Sequence, residues 1–186
     1  ATSAMIERVI AENGAINVLV NNASVFENDA VDALDEALWD RHFAVHVKAP
    51  AFMAQALAKH HQDGNRCLIV NIIDQRVWRL TPNFFSYTLS KSALWTATRT
   101  MAQALAPHIR VNAIGPGPTM KNVRQADEDF QQQVNALPLK QGPDLAEFGA
   151  TIRYLWDAQS VTGQMIALDG GQHLAWETPD VAGINE

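Results

Sequence analysis

Tyr87 and Lys91 stand four residues apart in Ser86-Tyr87-Thr88-Leu89-Ser90-Lys91. Four residues is about one helical turn, so phenol and ammonium share a helical face. An ammonium beside a phenol favours the phenolate and draws the tyrosine pKa down from about 10. A group titrating near ambient pH is usable as a general acid or base. The same spacing also fits a buried tyrosine and a solvated lysine that merely share a helix. Thirteen residues before Tyr87 lies Asp74, and further upstream is His46, whose imidazole is either a proton-handling group or an ordinary helix residue. Arg76, Trp78 and Arg79 lie between Asp74 and Tyr87 and suit either an anionic or aromatic ligand or a solvated loop.

The elements that must position these residues are read from periodicity. Ile16 to Val20 and Cys67 to Ile73 are apolar runs with little alternation, the pattern of strands covered on both faces. Leu34 to His61 carries apolar residues at helical spacing, with Pro50 kinking or splitting it and Asp63-Gly64-Asn65 ending it. Asn83 to Ala106 is a second long helix, stopped by Pro107. Ile109 to Ile114 is a third strand before the break Gly115-Pro116-Gly117-Pro118. Asp127 to Leu137 and Asp144 to Trp156 read as helices, and Gln164 to Leu168 as a last strand ended by Asp169-Gly170-Gly171. Alternating strands and helices predict an α/β fold: one parallel sheet, doubly wound, with helices on both faces. Ligands of such sheets bind beyond the carboxyl ends of the strands, which puts Asn22, Asp74 and Pro116 around one cleft.

Composition narrows the function classes. At 186 residues the chain is expected to form a single domain spanning 1–186. Its net charge of -6 lacks the basic excess that attracts nucleic acid or an anionic membrane, so neither is expected as a partner. Cys67 is the only cysteine, which excludes a disulfide framework and a cysteine-rich zinc site; no metal is expected, and the cytoplasm is. The start of the chain, Ala1 to Ile10, lacks the order of a signal peptide.

Five motifs occur in order: Asn21-Asn22-Ala23-Ser24, Asn71-Ile72-Ile73-Asp74, Tyr87-x-x-x-Lys91, Arg110-Val111-Asn112-Ala113-Ile114-Gly115-Pro116-Gly117, and Val161-Thr162-Gly163 with Leu168-Asp169-Gly170-Gly171. Together they resemble the short-chain dehydrogenase/reductase family over essentially the whole chain. The resemblance implies a Rossmann-type fold, an NADP cofactor with NAD left open, Tyr87 as proton donor, and Lys91 on the nicotinamide ribose. It also implies Asn22, Ala23, Ser24, Pro116, Gly117 and Thr119 as cofactor contacts, a small-molecule substrate, and a homodimer or homotetramer. The apolar circumference of the helix from Asn83 to Ala106 suits that association.

Two positions depart from the commonest family pattern. Asp74 occupies the place of a serine that donates to the substrate oxygen, and an ionised carboxylate only accepts. Burial could keep it protonated. His46 stands where an asparagine usually positions a relay water. Aspartate at the first position is similar to pteridine reductases, and histidine at the second to dihydromonapterin reductases. Asn22-Ala23-Ser24-Val25-Phe26 is a further match to pteridine reductases. It implies Phe26 as a stacking platform for a pterin and Ser24 as a polar contact; a simple loop-core role for Phe26 is the alternative.

The expectation is therefore an NAD(P)H-dependent oxidoreductase using Tyr87, Lys91, Asp74 and His46 on a pteridine-like or other cyclic C=N or C=O substrate. Open alternatives are a general alcohol or ketone dehydrogenase and a catalytically silent binding protein. The glycine-rich turn that cradles pyrophosphate in this family does not occur in the sequence, whose first glycine is Gly14. The Rossmann-type sheet is therefore expected to be incomplete here, with two strand–helix units of the order of sixty to eighty residues preceding Ala1 in a longer chain.

Overall fold

The computed structural model describes residues 2–62, 64–121, 125–178 and 180–183. Of the residues read above, Ala1 and Asp63 lie outside them. Four strands, β1 (Val18–Asn21), β2 (Cys67–Ile72), β3 (Ile109–Pro116) and β4 (Met165–Leu168), form one parallel sheet in the order β1-β2-β3-β4. The helices are α1 (Thr2–Asn13), α2 (Glu36–Phe43), α3 (Ala49–Lys59), α4 (Phe85–Leu105), α5 (Asp127–Asn135) and α6 (Leu145–Asp157). Strand–helix alternation is thus as the apolar periods predict. Pro50 sits in the first turn of α3, and helical backbone runs into it from α2 without a break, so the first long segment is not split there. The residues just before it, Ala44–Lys48, form a π-helical turn that joins α2 to α3.

Side-chain alternation along the strands assigns the two layers. Cys67, Ile69, Ile109 and Val111 face α3 and α4, packing with Ala54, Leu57 and Ala102. Leu68, Val70 and Ile114 face α6, packing with Leu155 and, at the edge, Phe148, Ile152 and Trp156. Burying each such branched side chain is worth about 1.5–3 kcal/mol. Helices therefore cover both faces, as a doubly wound sheet requires.

β1 departs from the expectation of a strand covered on both faces. Leu19 packs into the α3–α4 layer, but Val18 and Val20 are 37% and 38% exposed. By register they share the face of Leu68 and Val70, where α6 covers β2 but does not reach β1. The break at Gly115-Pro116 also moves: both residues pair with β4, and the chain turns only at Gly117. A Cβ at Gly117 would lie 2.6 Å from the Cα of Asp169, so only glycine lets the ends of β3 and β4 meet.

Asparagines knit this end of the sheet. Asn21 Nδ2 donates to Asn71 Oδ1 at 2.7 Å, and Asn71 Nδ2 donates to Thr98 Oγ1 on α4 at 2.9 Å. Asn112 donates to Val161 O and accepts from Gln164 N–H, joining β3 to the approach of β4. Asn71 and Asn112 thus hold strand and turn geometry.

Candidate active site

The loop after β1, the loop after β2, the first turn of α4 and the turn after β3 enclose a cleft of about 1030 Å³. Ser24, Phe26, Asp74, Tyr87, Pro116, Gly117 and Thr119 line it, so the sequence brings most of its candidates to one hollow. Lys91 and His46 lie directly behind, 2% and 1% exposed. Asn22 and Ala23 are exposed and do not border the cleft.

Tyr87 is presented by an unusual helix start. The residue before α4, Phe84, has left-handed backbone at φ 57°, a conformation that costs a bulky side chain energy. The loop after β1 supports it. Asn28 Oδ1 accepts from Phe84 N–H, Asp29 O accepts from Phe85 N–H, and the Asp29 carboxylate accepts from Ser86 N–H at 3.1 and 3.2 Å. The orphan donors of the first turn are thereby satisfied from a distant loop. Phe26 stacks on Phe84, with centroids 4.4 Å apart and planes 4° from parallel, and meets Tyr87 edge-on at 4.8 Å. One face of Phe26 is therefore already covered, and the ring both borders the cleft and belongs to the loop core.

Tyr87 Oη donates to Asp74 Oδ2 at 2.8 Å, while Asp74 Oδ1 accepts from Arg76 N–H at 2.8 Å. Burial raises the Asp74 pKa above the ordinary carboxylate range, opposed by these two hydrogen bonds and by Arg76 and Lys91. Tyr87 is pushed well above the usual phenol value, first by burial and then by the Asp74 charge. The sequence spacing leads one to expect the opposite, a phenol acidified by Lys91. Lys91 Nζ instead donates to Ile72 O at 2.9 Å and sits 5.7 Å from the centre of the phenol ring. Burial lowers the lysine itself to about 8, partly offset by Asp74.

His46 is held at both nitrogens. Nδ1 lies 2.8 Å from Ser90 Oγ, which donates its own proton to Tyr87 O at 2.7 Å. Nε2 accepts from Val25 N–H at 3.2 Å and lies 3.0 Å from Ser24 Oγ. Burial, then Lys91 and His42, lower its pKa to about 3, so the ring is neutral near pH 7. One turn earlier His42 Nδ1 makes a matching contact with Ser86 Oγ at 2.7 Å. Ser86 and Ser90 were not among the sequence candidates. Two i,i+4 pairs, His42 with His46 and Ser86 with Ser90, were the available signal.

Arg76 borders the cleft with its guanidinium 4.8 Å over the Phe84 ring, and Lys121 pairs with Asp127 at 2.6 Å. Trp78 packs edge-on against Trp95 and His173, away from the cleft lining. The described residues contain no group of three or more His, Cys, Asp or Glu placed to hold a metal ion, and no helix long and apolar enough to cross a membrane.

Comparison with known proteins identifies relatives of this chain. A family model described as enoyl-(acyl carrier protein) reductase matches residues 1–173. The 2-dehydro-3-deoxy-D-gluconate 5-dehydrogenase of Escherichia coli K12 is 35% identical over 176 residues, covering 90% of this chain and 70% of that protein. Dihydromonapterin reductase of Klebsiella pneumoniae is 31% identical over 170 residues, covering 90% and 71%. The crystal structure of FolM alternative dihydrofolate reductase 1 from Brucella canis, complexed with NADP, is 62% identical with a TM-score of 0.94 and covers 96% of this chain and 72% of that one. Its Brucella suis counterpart, also with NADP, is 62% identical with a TM-score of 0.95, covering 97% and 73%.

Proposed function

This chain belongs to the short-chain dehydrogenase/reductase family of oxidoreductases, and from that premise we propose that it uses NADPH to reduce a C=N bond in a pteridine-like ring. The observation that carries the proposal is the direct Tyr87–Asp74 hydrogen bond at the head of the cleft. An ionised carboxylate there supplies no donor for a ketone oxygen, but as a buried acid it is suited to donating to the Tyr87 oxygen, which leaves the phenol hydrogen for a ring nitrogen. Similarity to the Brucella alternative dihydrofolate reductases and to dihydromonapterin reductase supports the substrate class.

The residues present fit the nicotinamide half of the cofactor. Lys91 is buried, and its ammonium, with three donors, has Ile72 O as its one hydrogen-bond acceptor among the described residues, which suits it to ribose hydroxyls. Pro116, Gly117 and Thr119 line the wall at the end of β3. When bound, the nicotinamide supplies the hydride. Tyr87 supplies the proton at Oη. In the resting arrangement that proton points at Asp74; protonation of Asp74, favoured by its raised pKa, reverses the bond and frees the phenol hydrogen for the cleft. Lys91 orients the ribose, and Phe26 and Ser24 border the substrate. Assembly as a homodimer or homotetramer through the flank of α4, where Leu89 is 39% exposed, belongs to the same reading.

A second reading, oxidoreduction of a sugar-acid carbonyl, is favoured by the 35% identity to the 2-dehydro-3-deoxy-D-gluconate 5-dehydrogenase. Steady-state assay of the full-length protein with NADPH against dihydropteridines and a panel of ketones separates the two. Turnover of dihydropteridines is expected; turnover of ketones alone overturns the proposal.

A further inference from the structure

The hydrogen-bond directions around His46 follow from its neighbours. Ser90 Oγ gives its only proton to Tyr87 O, so the 2.8 Å contact between Ser90 Oγ and Nδ1 requires the proton to be on Nδ1. Val25 N–H points at Nε2, which must then carry a lone pair. Both sides select the same neutral tautomer. Ser24 Oγ, 3.0 Å from that bare Nε2, has its proton to give there, sharing the single lone pair with Val25 N–H in a three-centre bond. The single hydroxyl proton of Ser24 is thus turned toward His46, and its lone pairs face Tyr87 and the cleft. Asp74 adds further acceptor atoms beside it, since both its oxygens receive protons from Tyr87 and Arg76.

We propose that His46 is a positioning residue that fixes Ser24 as a hydrogen-bond acceptor, so that the cleft selects substrates presenting an N–H donor edge beside the reducible bond. This deepens the pteridine reading and rests on it. Cyclic amidine or lactam rings carry such donors; simple ketones and alkenes do not. A substrate without the N–H leaves a lone pair of Ser24 desolvated and unpaired, and the alternative of rotating the hydroxyl breaks its bond to His46. The bonds leading from His46 end at the Tyr87 carbonyl, which accepts and cannot pass a proton on. A holding role therefore suits His46 better than a relay.

The test compares a 6-substituted 7,8-dihydropterin with its 2-deamino and N3-methyl analogues, using NADPH and the full-length protein as wild type, Ser24→Ala and His46→Asn. For the wild type, loss of the interacting N–H should lower kcat/KM roughly tenfold to a hundredfold, mainly through KM. Ser24→Ala, at an exposed position, should abolish most of that preference. His46→Asn keeps a donor for Ser90 but releases Ser24, and should shrink the preference at least about fivefold with a smaller change in kcat. Nitrogen-15 NMR of the wild type should show Nε2 of His46 without a proton. Equal preference in all three proteins, or a protonated Nε2, overturns the inference alone; failure of the wild type to reduce any dihydropterin overturns the functional reading and this inference with it.

Discussion

The two ends of the sheet treat their polar groups in opposite ways. At the amino-terminal end of β3, Arg110 Nη1 donates to the carbonyls of Leu155, Ala158 and Val161, and Nη2 donates to Trp156 O. One cation closes the carboxyl end of α6, where the helix dipole favours positive charge. Arg66 adds a bond to Trp156 O and lies over its ring at 4.4 Å. At the carboxyl ends of β1 to β3, Ser24, Asp74 and Tyr87 keep hydrogen-bonding positions that face an open cleft. Burial shifts Asp74, Tyr87, Lys91 and His46 away from their ordinary pKa values there. A saturated polar group stabilises; one that is held yet incompletely partnered can act on something that arrives.

This contrast makes perturbations separable. The largest expected effect is on acid stability at the cleft end. His46 titrates near 6.5 when unfolded and about 3 when folded, so the unfolded chain binds more protons between those values. Its contribution is complete above pH 6.5 and is lost as pH falls toward 3, by up to about 5 kcal/mol. Urea midpoints across that window should fall more steeply for the wild type than for His46→Asn; parallel curves would refute the assignment. Next, Arg110→Met should cost about 3 kcal/mol by leaving α6 carbonyls unpaired, seen as a lower urea midpoint with kcat/KM within twofold of wild type. Tyr87→Phe should do the reverse, losing at least about a hundredfold in turnover with a Tm close to wild type. Unchanged turnover would remove Tyr87 from the chemistry and favour a silent binding protein. Smallest, Thr162→Val removes the acceptor for Val111 N–H at the quiet end and should cost about 1 kcal/mol without touching kinetics.

Much of the positioning was readable in the residues. Apolar runs and helical periods give the element order, and of the three strand ends expected around one cleft Asp74 and Pro116 do line it with Tyr87, whereas Asn22 does not and Ser24 takes its place. What was not readable depends on long-range geometry. Nothing local marks Phe84 for left-handed backbone, because its support comes from Asn28 and Asp29, some fifty-five residues earlier. The direction of the Tyr87 pKa shift failed for a similar reason. Spacing gives proximity to Lys91, but burial and the carboxylate across the loop decide the sign. Exposure of Val18 and Val20 likewise turns on which elements lie beside the strand, not on the strand itself.

The π-helical turn over Ala44–Lys48 has its own consequence. The imidazoles of His42 and His46, one in α2 and one in this turn, lie within 15° of parallel, each opposite a serine of α4. Deleting one residue within this turn would restore ordinary winding and swing everything downstream by about 100°. The His46 ring behind the cleft would then be replaced by whichever neighbour rotates in, so a single residue's length of chain sets which side chain stands behind Ser24.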